Sequence, residues 1–509
     1  YLILFNTFII SIKKNLFAMV KSNSFQEKKK ILIIGSGLSA YGACLALIKY
    51  SSLEIEVVDI GLKGPYLNQP NKTVPNAKDI NGSYFLYGLN DNRWNVKTNS
   101  KRICSSHAYG GFSKAYSGSI LQPKNYDLID WPKDAIPKLK EYAEVISSLK
   151  INQRIDELNE GFPIDPLKYS EKISKNYYLG NSRIAIKTEN YEDQMIPFDS
   201  EQKFSEWVNQ GLIKYTKNAF VNIIKTHQNK LLAEIQTGDS VSEKIYDNIF
   251  VGAGCVNTTA LIDKSIYGNG VRKYKIKSAP RIFQAHIKFD LKNFFKKTNN
   301  THNNYSLCKY FLEHRSKSTR NLWSHTQIGD LNRIILKKIK DKFPFIIYYP
   351  LSYFLKLINF SNSVFHSDLG PEADLISQVK QHSGKLKQEI NIIEEDFNCP
   401  NFLIISTTIA IISKFKKLRL LPIPFSKLLG NFLSGNKLGG WHYGGTLPMM
   451  KSPKSSFNCY PNGEILGLKN VFIIDPSSFP SIPGSTIALL TMTNAYRIAS
   501  RFKDKYNIK

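Results

Sequence analysis

This sequence has no paired cysteines. Its six cysteines, Cys44, Cys104, Cys255, Cys308, Cys399 and Cys459, never stand as C-x-x-C. That excludes a zinc ribbon or a dithiol redox motif and points to thiols in a reducing compartment, with no metal site expected. Acidic residues are also scarce, 41 Asp and Glu against 69 Lys and Arg, for a formal charge of +28. The lysines are spread out and no nucleic-acid motif accompanies them, so nucleic acid is set aside as a partner. They read as a solvated surface, with attraction to anionic lipid or an acidic substrate as the sharper alternative. No apolar run reaches the length that crosses a bilayer, and no internal repeat is present.

At 509 residues the chain is too long for one simple core, so two domains are expected. It begins at Tyr1, and its first methionine is Met19. Residues 1–28 read as an N-terminal extension, with those before Met19 as upstream translation. The cations Lys13 and Lys14 follow the apolar run instead of preceding it, which argues against a signal peptide.

Lys30 to Ala43 dominates the rest. Ile31-Leu32-Ile33-Ile34 reads as a buried parallel strand, Gly35-Ser36-Gly37 as a tight turn, and Ala43 to Ile48 as a helix. Gly35, Gly37 and Ala40 then stand as the G-x-G-x-x-A of a dinucleotide-binding unit: a turn, a close approach of backbone to pyrophosphate, and close helix–sheet packing. The helix N-terminus offers free N–H groups to phosphate. Glu54 to Asp59 reads as a second strand ending in an acid, and Asp59 sits where a ribose-binding carboxylate belongs.

A second joint of this kind follows. Ile249-Phe250-Val251 runs into Gly252-Ala253-Gly254 and a helical stretch. Between the two lie a polar segment to Arg102, read as long loops, and a glycine loop at Gly110-Gly111-Phe112-Ser113. A helix is expected over Lys138 to Lys150, and strands within Leu212 to Ile235. From Ser278 to Lys437 the composition shifts: strands at Arg281 to Phe289 and Ser363 to His366, and apolar runs at Phe345 to Phe360 and Phe402 to Ile412. The latter leads into Lys414, Lys416, Lys417 and Arg419. These read as core elements of a substrate domain, or as an apolar, basic face resting on a membrane. Near the end, Gly439 to Thr446 is glycine-rich around His442. Val471 to Asp475 is a strand ending in an acid, Pro476 to Gly484 a bend, and Ser485 to Phe502 a helix.

Taken together, these blocks resemble the glucose–methanol–choline (GMC) family of FAD-dependent oxidoreductases: Gly35 to Asp59, Gly110 to Gly118, Val221 to Thr259, and His442 to Ala499. The resemblance implies an α/β fold, an FAD-binding Rossmann-like domain (29–125, 205–277 and 438–509) with a second α+β substrate domain (126–204 and 278–437). It implies FAD against Gly35, Gly37, Ala40, Gly252 and Gly254, its ribose on Asp59, its adenine near Val221, and Gly110, Gly111 and Ser113 along the pyrophosphate and ring. Asp475 and Pro476 would sit by the ribityl chain. His442 would take the hydroxyl proton of an alcohol, a task that suits an imidazole near neutral pH. Where the family has a second His or Asn, this chain has Ser485 and Thr486. Lys114 and Ala115 fill the stretch where some members attach FAD through a His, so FAD is expected to be noncovalent. No cysteine-rich cluster stands at Tyr191 to Pro197. His366 is a candidate for the substrate pocket and His107 for a structural role.

The expected reaction is oxidation of a sugar or lipid alcohol, with an electron acceptor the sequence does not identify. A flavin-dependent reductase or isomerase, and a non-catalytic flavin-fold protein that binds membrane or polymer, are the alternatives. The expected location is cytoplasmic, with peripheral contact at the inner membrane face as the variant.

Overall fold

Strand β1 (Lys29–Ile34) is apolar on both faces because both are covered: Ile31, Leu32 and Ile33 are fully buried. It is the centre of a five-stranded parallel sheet. The other strands are β2 (Leu53–Val58), β3 (Lys214–Thr216), β4 (Asn248–Val251) and β5 (Val471–Ile473), in the order β5-β4-β1-β2-β3. The structure is a computed structural model. It describes residues 28–62, 95–98, 103, 105–114, 118–123, 127–149, 171–174, 177–181, 185–188, 195–279, 281–288, 308–315, 323–330, 343–357, 360–367, 372–382, 385–394 and 442–506, with short pieces at 405, 408–409, 411–412 and 420–422.

Helix α1 (Leu38–Leu47) follows β1 and lies against the long closing helix, Ala488–Tyr506. Their backbones touch: a Cβ on Gly42 would fall inside the carbonyl oxygen of Met492. The closing helix was expected to start at Ser485. It starts at Ala488 because Ser485 and Thr486 belong to a buried turn, where Thr486 Oγ1 accepts from Leu121 N at 3.3 Å. From Leu489 to Ala499 nearly every residue is buried, so the helix is enclosed on all sides, not on the one inner face that was expected. Arg497 is among its fully buried side chains and donates to Pro461 O (2.7 Å), Asp134 O (3.3 Å) and Asn494 Oδ1 (2.9 Å).

One helix drawn with the substrate domain, and another that the drawn boundary at 204 cuts, pack on the same core as the parallel sheet. Helix α2 (Leu139–Ser148) and helix α3 (Ser200–Asn209) join the main core through Tyr142, Val145, Phe204 and Trp207. Trp207 stacks on Tyr41 of α1 with ring centroids 5.4 Å apart. Helix α4 (Cys255–Tyr267) follows the second glycine turn. An antiparallel meander, Ala219–His227, Lys230–Thr237 and Ser240–Tyr246, adjoins the sheet, as the sequence suggested.

A seven-stranded sheet is built around Arg281–Lys288, Cys308–Arg315, Trp323–Asp330 and Phe360–Ser367. Helix α5 (Phe345–Leu357) joins the last two and packs on Phe360–Ser367. The closing helix is α6. Among the described residues no helix is long and apolar enough to cross a membrane. The N-terminal extension, most of the polar segment before Arg102, and Lys414 to Arg419 lie outside the described residues. Within that polar segment, Asn95–Thr98 pairs in parallel with Lys385–Glu394.

Candidate cofactor and active site

The carboxyl ends of β1, β4 and β5 lie side by side, and each runs into a turn that the sequence singled out. In an open parallel sheet this edge is where ligands bind. At β1, Gly35 takes φ +99° and lies so close to β4 that a Cβ would stand 2.5 Å from Gly252 O. The two glycine turns are thus one packed unit. Gly37 caps α1 with no side chain on the helix's first N–H groups. A Cβ on Gly37 would meet nothing nearer than 4.0 Å, where Gly110 O and Gly111 Cα stand. Gly111 comes closer still, since a Cβ on it would stand 3.2 Å from Gly37 Cα. The Gly37 turn and the Gly110–Gly111 loop are in backbone contact, and neither puts a side chain over the unsatisfied helix N-terminus, as an approaching pyrophosphate requires. Ala40 is fully buried against the sheet.

The loop is fixed by the hydroxyl of Ser113, expected at this site, together with those of Ser36 and Ser200, which were not. Gly110 N donates to Ser36 Oγ at 2.8 Å, and Ser36 Oγ donates to Asp59 Oδ2. Ser113 Oγ donates to Gly110 O at 2.6 Å and lies 3.0 Å from Ser200 Oγ. Ser200 Oγ in turn bonds Ser36 O at 2.9 Å. Ser200 opens α3, which Asp199 caps by accepting from Glu201 N at 2.9 Å. Buried Lys114 pairs with both Asp199 and Glu201. An Asp-Ser pair just before a helical run is an N-cap signature, so this anchor was visible in the sequence. Ser36 was visible too, as the middle residue of the first Gly-x-Gly.

Asp59 ends β2 beside this loop. Burial pushes its carboxyl up to about 7, opposed by hydrogen bonds from Ser36, the Ile60 and Gly61 backbone, and Tyr215. Val221 is buried on the meander two residues beyond Ala219, whose N–H donates to Asp59 O at 3.0 Å. The acid and the candidate adenine contact are therefore neighbours.

Asp475 closes the third turn and is fully occupied by protein. It accepts from Gly254 N at 2.9 Å, Ser477 N at 2.9 Å, and the hydroxyls of Thr258 and Ser477. Burial raises its pKa against these bonds. Its carboxylate ties the β4 turn to the β5 turn.

His442 arrives by another route. His442 O accepts from Ala279 N at 2.9 Å, and Tyr443 and Gly444 pair with Ser278 and Lys277. The same segment runs along Pro476 to Ser478: Gly445 N bonds Pro476 O (2.9 Å), Leu447 N bonds Ser477 O (2.8 Å), and Met449 N bonds Ser478 O (2.9 Å). His442 therefore heads a strand stitched to the residues directly after Asp475. Ser485 Oγ is buried without a hydrogen-bond partner among the described residues. His107 is buried. Among the described residues no group of His, Cys, Asp and Glu suits a metal ion.

Residues 425–495 match the family model for GMC oxidoreductase. No curated protein matches the sequence. Solved structures with a similar fold include an FAD-dependent oxidoreductase from Chaetomium thermophilum, at 13% identity and TM-score 0.56, covering 95% of this chain and 100% of that one. They also include pyridoxine 4-oxidase from Mesorbium loti (12%, TM-score 0.55) and formate oxidase from Aspergillus oryzae RIB40 (12%, TM-score 0.59), each covering 94% of this chain and 99% of the other. The chain thus closes with a GMC oxidoreductase segment and has the two-domain fold of FAD-binding oxidoreductases. The cofactor that segment and fold imply is FAD, and the glycine turns, which put no side chain over the uncapped α1 N-terminus, fit it.

Proposed function

We propose that this chain, with the closing segment of a GMC oxidoreductase on an FAD-binding fold, oxidises an alcohol to a carbonyl compound and passes the electrons to a separate acceptor. One observation carries the reading: the Gly37/Gly110/Gly111 turns at the bare α1 N-terminus, the Asp475 turn and the strand headed by His442 gather at one edge of the parallel sheet. Bound FAD would supply hydride acceptance. The chain's own part is to hold it and to move a proton. Gly37, Gly110 and the α1 N-terminus would hold the pyrophosphate, and Asp59 the ribose. The imidazole of His442 would take the proton from the substrate hydroxyl.

The substrate side supports a polar donor. Across the seven-stranded sheet Arg281, His366, His325, Glu313 and Tyr178 stand opposite one another in one cross-strand row. That row starts two residues beyond Ala279, the residue bonded to His442 O. His325 Nδ1 lies 3.2 Å from Glu313 Oε1, and both side chains are buried. Such a row suits a hydroxyl-rich alcohol, a sugar before a sterol.

The test is anaerobic reduction of the purified flavoprotein by a panel of alcohols. We expect bleaching by one class, and a loss of about 10²- to 10⁴-fold in its rate in His442→Ala with FAD content unchanged. A protein that cannot be loaded with FAD would end the proposal, as would equal bleaching by the variant. The buried hydroxyl of Ser485, in place of a second base, favours one alternative, a reductase or isomerase. That reading predicts bleaching by nicotinamide donors and none by alcohols.

A further inference from the structure

Helix α5 presents its apolar side to solvent. Phe345, Ile346, Tyr353 and Phe354 are 69%, 83%, 70% and 53% exposed, while Ser352 and Leu355 are buried. Positions 345, 349 and 353 form one row of the helix and 346, 350 and 354 the next, so the exposed residues make one continuous aromatic and aliphatic face. A face of this size left in water marks a binding surface. Three facts point to its occupant. Five cations, Arg333, Lys337, Lys338, Lys340 and Lys342, precede it in the sequence with one acid, Asp341, and the whole chain carries +28. The face mixes Phe and Ile with Tyr, the combination that sits at the boundary between acyl chains and headgroups. At 13 residues the helix is too short to span a bilayer but long enough to lie in its surface.

We propose that α5 is an interfacial helix that seats the protein on an anionic lipid surface, its apolar face among the upper acyl chains. Elsewhere in the sequence Ile405, Ile409 and Ile412 are also exposed, beside buried Ile411. They precede Lys414, Lys416, Lys417 and Arg419 and repeat the pattern. Because α5 packs on a strand of the sheet that carries the His325–Glu313 row, this seat would bring the substrate side to alcohols held at a membrane.

Flotation of the full-length protein with phosphatidylcholine vesicles, with and without 30% phosphatidylglycerol, tests this without any turnover, so its failure leaves the redox reading standing. We expect capture by the anionic vesicles, at least a tenfold lower partition in the triple variant Phe345→Ser, Ile346→Ser, Phe354→Ser, and no change in Val271→Ser, an exposed apolar residue elsewhere. A visible spectrum and far-UV circular dichroism check that the triple variant is folded. In Tyr353→Trp, anionic vesicles should shift the emission to the blue and brominated lipid should quench it. Equal capture of wild type and triple variant, or no capture by either vesicle, overturns the proposal. So does a dimer in vesicle-free solution that the triple variant abolishes while lipid capture is absent; that outcome assigns the face to a second copy of the chain.

Discussion

With Asp59 on the ribose, as proposed, FAD affinity should depend on pH. The Asp59 carboxyl ordinarily loses its proton near 3.8, and burial in the folded protein moves that to about 7. Without cofactor, the folded state therefore holds a proton between these values that the unfolded chain has lost. The contribution of Asp59 to the stability of the empty protein is fully present below about pH 4 and is lost as pH rises towards 7, by about 1.4 kcal/mol per unit and about 4 kcal/mol in all. Ribose hydroxyls donate, so FAD selects the ionised carboxylate. Binding must then release the proton below about pH 7, and the apparent affinity should fall about fivefold from pH 7 to pH 6 while levelling off above pH 8.

The assay is quenching of FAD fluorescence on titration with apoprotein, from pH 6 to 8.5 at fixed ionic strength. Asp59→Asn keeps the shape and removes the titration. It should bind roughly ten- to a hundredfold more weakly at pH 8, the loss of a charge-assisted bond, with a flat pH profile. A flat profile in the wild type, or an unchanged slope in Asp59→Asn, would refute the assignment of Asp59 to the ribose.

Three further substitutions probe the frame around that site. Ser36→Ala removes the hydroxyl that links Gly110 N to Asp59, and FAD should bind about tenfold more weakly with little change in melting temperature. Lys114→Ala leaves Asp199 and Glu201 facing each other unneutralised; a loss of about 3 kcal/mol in urea unfolding is expected, and a change under 0.5 kcal/mol would place that pair in water. Gly42→Ala forces α1 off the Met492 carbonyl and should lower the thermal midpoint more than any other single methyl in α1, by about 3 kcal/mol or more of stability.

Much of this architecture was legible because it rests on local signals. The run Ile31 to Ile34 and the alternation in Ala219 to His227 are one-dimensional patterns that tertiary contacts reinforce, and Gly35 must be glycine at φ +99° whatever surrounds it. What stayed hidden depends on distant partners. Arg497 looks in sequence like one more surface cation on a polar helix face. It is buried because carbonyls from residues 134 and 461 converge on it, and nothing within α6 announces them. Asp475 was legible as a strand-ending acid but not as a clamp, since Gly254 and Thr258 lie more than two hundred residues earlier. Helix α2 was drawn with the substrate segments, and the boundary at 204 was drawn through α3, for a related reason. Their polarity pattern says that one face is buried and is silent on which core buries it.

The position of His442 follows from that same long-range stitching, and this makes the site fragile at a residue with no chemistry of its own. Gly444 packs so tightly on Pro476 that a Cβ would overlap its carbonyl oxygen. A methyl there must push the 443–449 strand away from 476–478 and strain the bonds from Gly445, Leu447 and Met449 that hold it. His442 stands two residues from the overlap and would move with the strand. A displacement of about 1 Å is enough to cost about a hundredfold in a proton transfer that needs hydrogen-bond contact. Gly444→Ala should therefore lower kcat about as far as a conservative change at His442 itself, while FAD, held by β1 and the Gly110 loop, still binds. If Gly444→Ala keeps full turnover, the strand is not what aims the imidazole, and the proton acceptor must be sought among the groups of the His325 row.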